Sequence, residues 1–221
     1  MADDPDRHNW DLVGWDPAAG NLLLYGMSGY GTTSALATLA ITVARARPPD
    51  AFHLYVMDAD ARKLARLLRR ELEARTAPGG VASLVEVLVL IDDFASFLAG
   101  FGKDAEDIRV LEDLERVYAE GPTVGIRFAV TADRGDAVPR LWATLTEQKL
   151  LFQLADYESF DLPHTVTPGF VPGRAIVAAT GQSIQFVWAG DDLAEQVARA
   201  GGCWAGARQN TPAVRSDIES I

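Results

Sequence analysis

Residues 22–40 read LLLYGMSGYGTTSALATLA. Leu22–Tyr25 is a short apolar run that ends on glycine, as a buried strand does. Leu36, Leu39, Ala40 and Val43 then recur at helical spacing, so residues 33–46 predict a helix, stopped by Pro48 and Pro49. Between the two lie Gly26, Gly29 and Gly31. Strand, glycine-rich turn and helix in this order match the phosphate-binding pattern G-x-x-x-x-G-K-[ST]. Gly26 and Gly31 hold its glycine positions and Thr33 its Ser/Thr position, but Thr32 stands where the pattern has lysine.

Each residue type here has a defined task. Glycines let backbone N–H groups turn inward around a phosphate, and the helix adds its positive N-terminal end. Gly26, Ser28, Gly29, Tyr30, Gly31, Thr32, Thr33 and Ser34 would form that loop, with ATP as the expected ligand. The Thr33 hydroxyl can still face a magnesium ion. A lysine reaches the outer phosphates as a point charge, which a threonine cannot do, so binding energy and transition-state stabilisation are both lost. Taken alone, the glycines would serve a tight strand-to-helix turn equally well.

A second segment tests the first. Residues 85–91, VEVLVLI, are almost continuously apolar, as in a central parallel strand buried on both faces. Asp92 and Asp93 follow. The first carboxylate would meet the magnesium ion, and the second would polarise an attacking water if the site is active. Asp93 is one methylene shorter than the usual glutamate. Residues 126–131, IRFAVT, read as the next strand and end on Thr131 at a sensor-like position. The plainer alternative is an acidic pair that opens a loop.

The remaining chain alternates strand and helix. FHLYVM at 52–57 is a strand, and Leu64, Leu67, Leu68 and Leu72 stripe a basic helix over 62–75. An acidic helix covers 104–120, a further helix 137–146 and a fifth strand 150–154. This order predicts a mostly parallel sheet with helices on both faces. Segments 175–179 and 184–188 flank TGQS and predict an antiparallel hairpin at the sheet edge, before a closing helix at 191–200. We expect one domain over residues 1–206 and a polar tail over 207–221.

Composition narrows the partners. The 221 residues carry a formal net charge of -11, which disfavours a free-standing nucleic-acid binder and makes DNA a poor candidate. One cysteine, Cys203, excludes a disulfide framework, and three scattered histidines disfavour zinc. No apolar run approaches the roughly 20 residues of a membrane span, so no direct membrane insertion is expected. The polar N-terminus is no signal peptide, and a cytoplasmic setting fits. The basic and acidic helices read as solvated faces or as complementary subunit surfaces.

Five segments together resemble the FtsK/SpoIIIE family of P-loop ATPases over about Trp10–Trp188. They are GNLLLYGMSGYGTTSALATLA, HLYVMDADARKLARLLR, VLVLIDDF, GIRFAVTADRGDAVPRLW and PGRAIVAATGQSIQFVW. The last two are more like the tandem ATPase domains of type VII secretion, the EccC-like branch, than the DNA pumps. The resemblance implies a RecA-like P-loop NTPase fold, a three-layer α/β sandwich. It also implies ATP and Mg2+ as ligands, and partners among neighbouring ATPase domains or subunits of the same family. A location at the inner face of the cell membrane, through partner domains, follows from it too. Some tandem members are degenerate and serve as regulators or as receptors for a secreted protein's signal segment.

This chain departs from the family at Thr32, in a shortened segment between Asp58 and Leu88, and at Lys149 and Gln153, where the DNA pumps tend to carry arginines. The expected function is therefore a degenerate ATPase domain of a secretion-like translocase. The alternatives are a competent ATP-driven motor for DNA or protein, and an adaptor that binds no nucleotide. Phe94, Phe97, Leu98 and Phe101 read either as a helix packed into the core or as a signal-binding groove.

Overall fold

The computed structural model describes residues 2–4, 9–11, 14–57, 61–78, 85–160, 162, 171–186, 195, 196, 198, 199 and 202. The run read as the first buried strand is β3 (Leu22–Tyr25), and the helix after the glycines is α1 (Thr32–Ala46). Four more strands lie parallel to β3: β4 (Phe52–Val56), β5 (Glu86–Ile91), β6 (Ile126–Ala132) and β7 (Gln148–Leu151). They stand in the order β4-β5-β6-β3-β7. The sheet continues antiparallel through β8 (Arg174–Val177) and β9 (Ser183–Gln185), the expected hairpin. Beyond it lie β1 (Ala2–Asp4) and β2 (Asn9–Asp11). These two short strands are polar and have no period-2 alternation, so pattern reading does not find them.

Period-2 alternation sorts each strand onto two cores. Leu22, Leu24, Leu88, Leu90 and Ala129 face α1 and meet Ala35 and Leu36. Leu23, Tyr25, Val87, Val89, Ile91, Phe128 and Val130 face the other way. That side is covered by α2 (Ala61–Thr76), α3 (Phe94–Ala99), α4 (Ala105–Glu120) and α5 (Arg140–Leu145). The result is a three-layer α/β sandwich. Buried Asn21 ties the layers, since its side chain donates to Tyr118 O at 3.0 Å and accepts from Phe128 N at 2.9 Å.

Element ends shift for local reasons. The helix expected over 137–146 is shorter, because Pro139 sits at its N-cap and residues 135–137 form a separate 3₁₀ turn. The strand expected over 150–154 starts earlier and ends at Leu151, since Gln153 turns to accept Met27 N at 2.8 Å. Of the closing helix expected over 191–200, residues 195, 196, 198 and 199 are described and helical, and the tail 207–221 lies outside the described residues.

The two charged helices pair with each other inside the chain. Arg62 of α2 forks onto Asp107 of α4, with Nη2 to Oδ2 at 2.9 Å, Arg66 meets Glu106, and Arg69 lies 3.7 Å from Asp113. This replaces the reading of them as complementary surfaces between subunits. Arg75 is buried and donates to Val124 O, Val85 O and Glu71. Most of the basic helix is thus spent within the fold, which leaves little nucleic-acid footprint.

Asp107 is 3% exposed and also accepts from Gly102 N–H. The Arg62 guanidinium, and after it the Gly102 N–H, hold its carboxyl below the ordinary range against the opposing effect of burial. The unfolded chain then binds more protons, so the contribution is full above the unfolded value of about 4 and fades as pH falls through the folded value. Urea midpoints of the native chain and Asp107→Asn should differ most at pH 7 and converge below about pH 4. A gap that ignores pH would remove Asp107 from the linkage.

Candidate functional site

Parallel order brings the glycine loop and the acidic pair together. With β6 between β3 and β5, the carboxyl ends of the three strands deliver Gly26–Gly31, Thr131 and Asp92–Asp93 to one edge of the sheet. Crevices at the carboxyl ends of parallel strands are where such sheets bind ligands. Thr33 Oγ1 donates to Asp92, 3.1 Å from Oδ1 and 3.0 Å from Oδ2. Thr131 Oγ1 donates to Asp92 Oδ1 at 2.6 Å and accepts Asp93 N–H at 2.8 Å.

The loop is held from below and from the side. Gly26 N donates to Ala132 O at 2.9 Å, and Gly173 N donates to Tyr30 O at 2.9 Å. Gly29 (φ 87°) and Gly31 (φ 105°) are left-handed, a conformation that disfavours any residue with a Cβ. Among the described residues, the N–H groups of Gly29, Gly31, Thr32 and Thr33 have no backbone acceptor. They open on a cleft of about 570 Å³ bounded opposite by Pro172, Gly173, Gln185 and Phe186. Ser28, Gly29, Gly31, Thr32, Thr33 and Ser34 line this cleft, whereas Gly26 lies buried beneath it and Tyr30 stands outside the wall.

Thr32 and Asp93 are both committed to the fold. Thr32 is 8% exposed, and its Cγ2 would be 2.9 Å from a Cβ placed on Gly26, so its methyl points inward. Asp93 is the N-cap of α3: its Oδ1 accepts Ser96 N–H at 3.2 Å, and its Oδ2 bonds the Ser96 hydroxyl. At φ 51° it is the left-handed non-glycine residue among those described. The side chains at Thr33 and Asp92 are hard oxygen donors of the kind magnesium takes, and the free amides suit phosphate. The residues present therefore fit a magnesium nucleotide, but without a cation in the loop.

Five residues around the loop escaped the sequence reading: Phe152, which packs under it, and Pro172, Gly173, Gln185 and Phe186 across the cleft. The PGRA and IQF segments hold four of them, but nothing in their pattern says that the hairpin returns over the glycine loop. Phe94 is buried against Trp142, with ring centroids 4.9 Å apart, while Phe97 and Phe101 are half-buried and meet edge-on, 5.1 Å apart. Phe94 belongs to the core, and Phe97, Leu98 and Phe101 pack against it while staying partly exposed.

No protein-family model matches this sequence, and no curated protein matches it. Solved structures do. The cytoplasmic domain of the type VII secretion ATPase EccC from Thermomonospora curvata aligns at TM-score 0.77 and 16% identity, over 92% of this chain and 30% of that one. EssC (ATPases 2 and 3) from Geobacillus thermodenitrificans aligns at 0.68 and 18%, over 96% and 49%. Thermomonospora curvata EccC (ATPases 2 and 3) in complex with a signal sequence peptide aligns at 0.64 and 17%, over 85% and 43%. The chain spans about half or less of each of these. With its five-strand parallel core, its glycine loop before α1 and its antiparallel continuation, the chain has the P-loop ATPase fold of the EccC and EssC domains.

Proposed function

We propose that this chain is a degenerate FtsK/SpoIIIE-type ATPase domain of a type VII secretion-like translocase. It binds ATP weakly or not at all, hydrolyses it slowly at most, and serves regulation, assembly or recognition of a signal segment. The observation that carries this reading is Thr32: the position that needs a cation holds a buried methyl group turned toward Gly26.

A bound magnesium nucleotide supplies the phosphates and the divalent charge that such a site works on. Around it the chain's own groups have separable tasks. The amides of Gly29, Gly31, Thr32 and Thr33 would hold phosphate oxygens, and the Thr33 hydroxyl with the Asp92 carboxylate would hold the cation. Thr131 keeps Asp92 oriented through its 2.6 Å bond. Asp93, fastened to Ser96, is poorly placed to accept a proton from water. That supports binding over turnover.

Partners follow by analogy with the EccC and EssC structures, which hold further ATPase domains and, in one case, a signal sequence peptide. The chain would sit beside such domains at the inner face of the membrane. Among the described residues no helix is long and apolar enough to cross a membrane.

Calorimetric titration with Mg-ATP, followed by phosphate release on the same sample, tests the reading. Binding without release supports it. Turnover would reopen the motor function, and no binding would leave an adaptor. Asp92→Ala is expected to abolish the magnesium dependence of any binding. Unchanged dependence would remove Asp92 from the site.

A further inference from the structure

A second cavity, of about 480 Å³, lies on the face of the sheet opposite α1 and shares no lining residue with the glycine-loop cleft. It opens between β3, β7, the chain just after β8, and α5. Its size falls within the roughly 300–1,000 Å³ of small-molecule sites. Strand register puts a cation there. In the β3–β7 pair Lys149 stands opposite Leu23 and Leu151 opposite Tyr25, so all four side chains point to this face.

Two polar groups meet in the cavity without partners. Lys149 is half-buried, and among the described residues no carboxylate pairs with its ammonium. Tyr25 is 1% exposed, and its ring packs edge-on to Phe160 with centroids 4.8 Å apart. Its hydroxyl makes no hydrogen bond among the described residues. A buried hydroxyl is ordinarily bonded, so one that faces a cavity unbonded is a group awaiting an acceptor. Burial raises the phenol well above its ordinary range, which keeps it protonated and able to donate.

We propose that this cavity binds a small carboxylate with an apolar body, whose oxygens accept from Lys149 and Tyr25. The apolar body follows from the walls, which are Phe160, Ala143, Ala178 and Ala179. The single negative charge follows from the charges at hand. Lys149 supplies one positive charge, and exposed Glu147 at the rim subtracts from it. A phosphate dianion would be left uncompensated there. The assignment does not depend on whether nucleotide binds.

The sequence has three lysines, and Lys63 and Lys103 are exposed. Reductive methylation of the full chain with isotope-labelled formaldehyde keeps their charge and gives each its own NMR signal. Titration with phenylacetate should move the Lys149 signal saturably and leave the other two in place. Neither phenylethanol nor inorganic phosphate should reproduce the shift. Tyr25→Phe keeps the ring on Phe160 and should weaken binding about tenfold, the loss of one hydrogen bond to a charged group. Glu147→Gln should tighten it severalfold. Thermal unfolding of both variants should stay cooperative. A short peptide ending in phenylalanine with a free carboxylate runs alongside, and the tighter of the two probes tells a chain terminus from a free acid. Four results would each overturn the proposal: no saturable Lys149 shift with either carboxylate, equal shifts at all three lysines, an equal response to phenylethanol or phosphate, or unchanged affinity in Tyr25→Phe. Weaker binding in Glu147→Gln would overturn it too, since the ligand would then carry a positive charge.

Discussion

Thr32→Lys should bind Mg-ATP about ten- to a hundredfold more tightly than the native chain, the equivalent of one new charge-assisted hydrogen bond of roughly 1.5–3 kcal/mol. The groups that such a lysine works with are in place: amides at Gly29 and Gly31 that have no backbone acceptor among the described residues, and Thr33 within 3.1 Å of Asp92. Position 32 lines the cleft, so the ammonium of a lysine there can reach it. Phosphate release should stay near background, because Asp93 remains fastened to Ser96. Calorimetry on both chains decides it. Equal affinities would show that the cleft is unfit for phosphate whatever residue stands at position 32, and the adaptor alternative would gain.

The fold was largely legible because its signals are physical and local. VEVLVLI must be a central strand, since a run apolar on both faces has nowhere else to go. LLLYG followed by helical spacing fixed β3, the turn and α1. Gly26, Thr33, Asp92 and Thr131 were legible as a group because strand ends in a parallel sheet converge on one edge. What stayed hidden depends on distant packing. Nothing local to Gly173 says that it will donate to Tyr30 O, and nothing local to Asp93 says that Ser96 will claim its carboxylate. The charged helices show the same limit. Composition gave their signs, but only the packing of α2 on α4 shows that they neutralise each other.

Gly26→Ala should lower stability by about 1–3 kcal/mol, the usual cost of overpacking a filled site. For a domain of this size that is a fall of roughly 2–12 °C in Tm. The reason is space and not backbone angle, since Gly26 is absent from the left-handed residues. Its new Cβ would lie 2.6 Å from Phe152 Cβ and 2.9 Å from Thr32 Cγ2. The Phe152 atom is fixed to its own backbone at the end of β7, where Phe152 N donates to Tyr25 O at 2.7 Å, so it cannot swing aside. Either the loop lifts or the β3–β7 pairing loosens. Thr32→Ser removes the methyl at 2.9 Å but leaves the closer Phe152 atom untouched, so the double variant should recover part of the loss and not all of it. Thermal melts of the two single variants and the double variant measure this coupling. Full additivity would mean that Thr32 does not press on Gly26. The inward methyl, which makes the loop both stable and cationless, would then need another explanation.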